Sequence, residues 1–242
     1  MIVGELKEIV RHPVKSFRGE SVQNTTIESY GLYGDRSHAF LDQTRPGYFL
    51  TATQFPAMIG YCAEFIGQEN PNEFPAIQIT TPDGKTYLWG DKELTLELEE
   101  RSGRTISTIQ YDPKEVPLGA IEEEHVLLTT DASLAQLEKL WGGKVDNRRF
   151  RPNLLISLDK PVPFVEESWF GKRLQIGEAE LEVKRHCERC MIITINPDTY
   201  VQDSSLLKTV VQERQNHFGV YASVIKPGKI NVGDKIHVLD HL

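Results

Sequence analysis

Arg173-Leu174-Gln175-Ile176-Gly177-Glu178-Ala179-Glu180-Leu181-Glu182-Val183-Lys184 alternates apolar and polar side chains on both sides of Gly177-Glu178. A period of two marks a half-buried strand, so the spacing predicts strands over residues 174–176 and 179–184 with a break at the glycine. Further strand candidates, some of them apolar throughout, lie around it at residues 154–158, 191–195, 220–225 and 235–239. Two segments between them carry helical spacing instead. Residues 131–141 set Leu134, Leu137, Leu140 and Trp141 on one face between Thr129-Thr130-Asp131 and Gly142-Gly143. Residues 204–216 space Leu207, Val210, Val211 and Arg214 three and four apart, with Gly219 just beyond. The first half reads as strands over 2–10, 21–29, 37–42, 77–80 and 94–99, punctuated by Arg45-Pro46-Gly47, Pro56 and Pro82-Asp83-Gly84. Many short strands and few helices predict a mainly β chain built on a closed or partly closed barrel. The Pro-rich, charged stretch 112–119, followed by Glu122-Glu123-Glu124, marks the expected division: a β-rich N-terminal subdomain, residues 1–117, then a second domain, residues 118–242.

A chain of 242 residues, 39% hydrophobic and 26% charged, has enough apolar side chains to bury a core, which sets aside disordered and fibrous classes. Its formal charge of −8 argues against a general binder of nucleic acid or of anionic membranes, so any anion site must be a local cluster of bases. No apolar run approaches the roughly 18 residues needed to cross a bilayer. Residues 1–11 lack a basic segment followed by an apolar one, and the expected compartment is the cytoplasm. Three cysteines suit a reducing compartment rather than a disulfide framework, and they are too few for a four-thiolate iron–sulfur cluster. The patterns G-x-S-x-G, G-x-x-x-x-G-K-[ST], H-E-x-x-H and G-x-G-x-x-G do not occur, which removes the usual handles for hydrolase, nucleotide-binding and zincin chemistry.

His186-Cys187-Glu188-Arg189-Cys190, preceded by Lys184 and Arg185, sets thiols among cations that favour thiolate, the form that ligates soft metals or attacks sulfur. The same residues also read as half a zinc site, for which no second C-x-x-C or H-x-x-x-H exists, or as cysteines that only pack. Asn147-Arg148-Arg149-Phe150-Arg151-Pro152-Asn153 offers guanidinium forks suited to phosphate or a planar heterocycle; the alternative is a solvated, ion-paired loop. His12-Pro13-Val14-Lys15-Ser16-Phe17-Arg18-Gly19 ends the first predicted strand with Lys15, Ser16 and Arg18 open to an anion. Gly34-Asp35-Arg36 adds a further cation, or a local Asp-Arg pair. The helix start near Asp131 presents backbone N–H groups and the Thr129 and Thr130 hydroxyls, which make an anion seat or an ordinary cap.

Taken in order, Pro13-Val14-Lys15-Ser16 with Gly19, then Gly31-Leu32 and Gly34-Asp35-Arg36, resemble the N-terminal β-barrel domain that accompanies MOSC (molybdenum cofactor sulfurase C-terminal) domains. Thr130-Asp131-Ala132-Ser133-Leu134, Arg149-Phe150-Arg151-Pro152-Asn153, Cys187-Glu188-Arg189-Cys190, Asn196-Pro197-Asp198-Thr199 and Val232-Gly233-Asp234 resemble the MOSC domain itself. The resemblance spans essentially the whole chain, with amidoxime-reducing components as the best understood relatives. It implies a MOSC-type β-barrel after the N-terminal subdomain, and a molybdenum cofactor (molybdopterin with Mo) whose metal ligand is Cys190 and not Cys187. Cys190 would then be the catalytic residue. By the same resemblance Lys15, Ser16, Arg18 and Arg36 from the first half, and Arg149, Arg151 and Asn153 from the second, hold the cofactor. Thr129, Asp131 and Ser133 are further candidates at the helix start.

The implied activity is an oxidoreductase acting on small N-hydroxylated compounds. No fused ferredoxin domain is recognised after Val232-Gly233-Asp234, so electrons are expected from a separate donor protein. The rival implied by the family is a non-catalytic module that carries the cofactor, or carries sulfur as a persulfide on Cys190. No pyridoxal-phosphate desulfurase domain is recognised, which argues against cofactor sulfuration by this chain alone. Two departures stand out: Thr53 lies where relatives often have a basic residue, and His12 where they often have Tyr.

Overall fold

In the computed structural model, which describes residues 1–239, the first strand, β1 (Ile2–Arg11), turns Leu6 and Ile9 inward although they are three residues apart. A shift of register between Leu6 and Glu8 makes this possible: the bulge restores the inward face that strict alternation would lose. Short strands β2 (Glu20–Val22), β3 (Asn24–Glu28) and β4 (Gly31–Leu32) follow, then β5 (His38–Asp42). β6 (Cys62–Ile66), β7 (Ala76–Thr80) and β8 (Thr86–Leu88) form an antiparallel meander, α1 (Lys92–Ser102) follows, and β9 (Ile106–Gln110) pairs back on β5. After the short helix α2 (Leu118–Ile121) come β10 (Val126–Thr130), α3 (Asp131–Trp141) and β11 (Leu154–Leu158). β12 (Arg173–Ile176), β13 (Ala179–Glu188), α4 (Ser205–Arg214), β14 (His217–Lys226), β15 (Gly228–Asn231) and β16 (Lys235–Leu239) complete the order.

The principal sheet runs β11-β10-β14-β13-β12-β16-β1, with β2 beyond β1, and a further β1–β11 pairing closes seven strands into a barrel. Only β10 and β11 among these are parallel, joined by the α3 crossover. Closure brings the backbones very near each other at Gly4, where a Cβ would lie 2.0 Å from the Ser157 carbonyl oxygen, so this stave accepts no side chain. Leu6, Ile9, Leu154, Ile156, Leu174, Leu181 and Val220 fill the barrel. A second core, built on Phe17, Tyr33, Phe40 and Tyr61, lies beneath the first-half strands. The two halves interlock, because β15 pairs with β3 and places a strand of the second half in a small sheet of the first. The mainly β, barrel-based expectation therefore holds.

Two predicted strands take other forms. Residues 94–99 read as a strand because Leu94, Leu96 and Leu98 alternate, yet they lie within α1. Leu94 and Leu98, four apart, are buried on one helix face while Leu96 is 62% exposed, and Gly103 ends the helix at φ 67°. Residues 191–195 form a 3₁₀ turn over Met191–Thr194 instead of a strand, because the apolar run serves two cores: Ile193 packs with α3 and α4, and Ile195 with the first-half core. α4 ends at Arg214 with Gln215 at φ 53°, and Gly219 lies inside β14.

Candidate functional site

The turn after β1, the turn before β5 and the turn before β11 converge on one side of the barrel, and each carries a non-glycine residue at positive φ. These are Ser16 at 70°, Arg36 at 52° and Arg151 at 55°. Left-handed backbone is unfavourable for such residues by about 1–2 kcal/mol each, and strain of this kind gathers where geometry serves a site. Main-chain bonds hold it in place: Arg36 N–H donates to the His12 carbonyl at 2.6 Å and Lys15 N–H to the His38 carbonyl at 2.8 Å.

The three residues line a cleft of about 190 Å³ together with Lys15, Thr51, Thr53, Glu122, Arg189, Tyr221, Cys187 and Cys190. Four cations, Lys15, Arg36, Arg151 and Arg189, and two carboxylates, Glu122 and Glu188, line it. Burial pushes the Lys15 ammonium down from its ordinary value, with Glu122 opposing. Burial, then the nearby Arg36 charge, lowers the Arg151 guanidinium to about 9. Burial also works against Arg36, but Asp35 beside it more than compensates and raises it. Arg151 Nη1 donates to the Phe17 carbonyl at 2.8 Å, while Arg151 Nη2 and Arg189 Nε are buried with no partner among the described residues. Buried donors left unpaired are costly, and here they invite a bound acceptor.

The two cysteines are dissimilar. Cys187 is 1% exposed, packs on Leu127 and Tyr221, and accepts a hydrogen bond from Arg189 Nη1 at 2.6 Å; burial pushes its thiol up, against the pull of Arg189. Cys190 is exposed, stands at the head of the 3₁₀ turn and faces the same cleft. Among the described residues no group of three or more His, Cys, Asp or Glu is arranged to hold a metal ion. A metal held by Cys190 must bring its other ligands with it.

Residues 107–237 match the MOSC domain model and residues 3–112 match the MOSC N-terminal beta barrel domain. The chain belongs to the MOSC family. This MOSC chain is 25% identical over 285 residues to mitochondrial amidoxime-reducing component 1 of Danio rerio, covering 99% of the chain and 86% of that protein. It is 35% identical to the Homo sapiens component 1 over 126 residues, 47% of the chain and 36% of that protein. Among solved structures, the YUAD protein from Bacillus subtilis superposes with a TM-score of 0.53 over 100% of the chain and 98% of that protein, at 13% identity, a likeness of fold.

The remaining sequence-predicted residues of the MOSC site fall into two groups. Arg18 and Arg149 line a neighbouring cleft of about 400 Å³, which shares Arg151 and Ile192 with the first. Arg149 Nη1 donates to the Ile193 and Thr194 carbonyls at 3.0 and 3.4 Å, tying the turn that follows Cys190. The others lie outside both clefts and brace the elements behind them. Asn153 accepts from Leu127 N–H at 3.0 Å and donates to the Val10 carbonyl at 3.3 Å. Thr129 donates to Asn147, Asp131 accepts from Ser157 and Leu158, and Ser133 donates to the buried Glu166 carboxylate. Thr130 caps α3, accepting from Ser133 N–H. Tyr221, Thr51 and Glu122 line the cleft without having been singled out from the sequence, and Arg189, noted there as a cation beside the thiols, lines it as well. For Glu122 a signal existed in the Glu122-Glu123-Glu124 run, which read as a boundary.

Proposed function

We propose that this chain binds the molybdenum cofactor, with Cys190 as the protein's ligand to the metal, and reduces N-hydroxylated compounds using electrons from a separate donor protein. The observation that carries the reading is the pairing of an exposed thiol with buried, undersatisfied cations in one cleft. A soft thiolate suits molybdenum, and desolvated guanidinium and ammonium groups suit a phosphorylated pterin. Lys15, Ser16, Arg36 and Arg151 would hold the cofactor's anionic end, and Cys190 at the head of a rigid turn would fix the metal. Arg18 and Arg149 extend the basic lining into the neighbouring cleft. Asn153, Thr129, Asp131 and Ser133 would support that wall by tying β10, β11 and α3 together. When bound, the cofactor supplies two-electron redox chemistry that the side chains lack. Reduction of an N-hydroxyl to the parent N–H consumes two electrons and two protons and releases water. Three unpaired cysteines fit a reducing compartment such as the cytoplasm, and among the described residues no helix is long and apolar enough to cross a membrane.

Replacing Cys190 by Ala is expected to abolish molybdenum retention, measured by metal analysis of the purified protein, whereas Cys187→Ala should retain most of it. Equal metal content in the Cys190 variant defeats the assignment. The exposure of Cys190 also favours a second reading, a carrier of cofactor or of persulfide sulfur. A carrier would bind pterin yet reduce no N-hydroxylated compound with an artificial electron donor.

A further inference from the structure

Lys15, Arg36 and Arg151 share the cleft with two acidic side chains, Glu122 and Glu188, and of these two it is Glu122 that reaches the cations. Glu122 Oε1 lies 3.8 Å from Lys15 Nζ and 3.9 Å from Arg36 Nε. Charge-assisted hydrogen bonds between such groups run at about 2.7–2.9 Å, so the carboxylate partly offsets the two charges without occupying their donors, while Arg36 is also paired with Asp35. The side chain is 47% exposed, whereas those of Lys15 and Arg36 are 12% and 3% exposed, so Glu122 stands at the open side with the cations behind it.

The segment that carries Glu122 is fastened on both flanks. Lys15 Nζ donates to the Ala120 carbonyl at 2.7 Å, at the end of α2. On the other flank Arg185 pairs with Glu123 at 3.1 Å and Glu124 at 3.4 Å and donates to the Glu123 carbonyl at 3.2 Å. Glu122 is thus tethered at a high effective concentration, yet its own carboxylate is loosely held.

We propose that Glu122 is a built-in stand-in for the ligand's phosphate group, and that it sets the selectivity of the cleft. In the ligand-free protein it screens cations that would otherwise repel one another. A phosphate monoester must displace it, and a small free anion with no second anchor competes poorly against a tethered carboxylate. A ligand also held at Cys190 has that second anchor. The physiological identity of the ligand rests on the cofactor reading, but the displacement does not.

The test uses full-length, cofactor-free protein and inorganic phosphate as probe, with binding measured by titration calorimetry and by the shift in melting temperature. Glu122→Gln is expected to bind phosphate about tenfold tighter than wild type, since one opposing charge near two cations is removed. In phosphate-free buffer the same variant should melt below wild type and recover on adding phosphate. Glu123→Gln, which alters only the Arg185 pair, should match wild type. Glu122→Asp keeps the charge and serves if the glutamine variant folds poorly; its shorter side chain draws the carboxylate back, and its phosphate affinity should fall between the two. Phosphate binding by Glu122→Gln or Glu122→Asp no tighter than wild type, including none by any protein, overturns the proposal, as does an equal gain in Glu123→Gln. Because no metal enters this measurement, its failure is distinguishable from loss of the Cys190 assignment.

Discussion

Arg151 lies buried against Arg36, and the cleft holds it charged by force of fold rather than by a full set of partners. Its folded value of about 9 stands well below that of a free guanidinium, so its burial penalty is fully present below pH 9 and is relieved as pH rises above it. Arg151→Met is therefore expected to stabilise the cofactor-free protein at pH 8 by about 1–3 kcal/mol in urea unfolding while abolishing phosphate binding. Destabilisation by the same change would show that the bond to the Phe17 carbonyl outweighs the desolvation. Two histidines make the complementary case in acid. Burial, then the Arg151 and Arg36 charges, lowers His12 to about 3, and burial lowers His38 to about 4. Both stay neutral in the fold while the unfolded chain takes up protons below about pH 6.5, so stability is lost as pH falls from there towards those values. Unfolding free energies at pH 7, 6 and 5 should fall, these two groups contributing a limiting slope of about 2.7 kcal/mol per pH unit, and His38→Gln should lower the slope by about 1.4 kcal/mol per pH unit. At this scale the sequence disclosed which residues carry charge and thiol but not which atoms are left unpaired. Lys15, Ser16, Arg36, Arg151 and Cys190 meet in one cleft as a cofactor site would require, whereas the partnering of Asp131 and Ser133 with Ser157 and Glu166 depends on contacts across the fold.

At the scale of elements, patterning was readable wherever one face alone is buried. α3 has its apolar face, its cap and its closing glycine within a single stretch, and β11, β12 and β16 alternate or run apolar as barrel staves should. β6, β9 and β10 were not singled out as strands: β6 and β9 are short and fringed with polar side chains, and β10 runs directly into the helix cap at Thr130. α1 misled because Lys92-Glu93-Leu94-Thr95-Leu96-Glu97-Leu98 satisfies period two, while the decisive facts are the tertiary burial of Leu94 and Leu98 and the glycine stop. The assignment is measurable. Leu98→Ala is expected to destabilise by about 2–4 kcal/mol, as truncation of a fully buried leucine does, and Leu96→Ala by less than about 0.5 kcal/mol. Equal effects at the two positions would contradict the helix.

Across the whole molecule, the barrel is closed by a strand that the chain makes first. β1 lies between β16 and β11, and without it those two would each expose an edge and the inward Leu6 and Ile9 would be missing from the core. β15 in turn covers β3, so each half supplies a strand the other requires. The cleft repeats the arrangement: Lys15, Ser16 and Arg36 come from the first half, Arg151 and Cys190 from the second, and Arg151 reaches across to the Phe17 carbonyl. A fragment of residues 118–242 is expected to show no cooperative thermal transition and no phosphate binding on its own. Mixed with a fragment of residues 1–117, it should regain both, because the missing stave and the missing cations arrive together. The experiment is circular dichroism melting of each fragment and of the equimolar mixture. A sharp transition in the isolated second fragment, at a temperature near that of the full chain, would mean that six staves suffice and that β1 contributes cations to the site without holding the barrel shut.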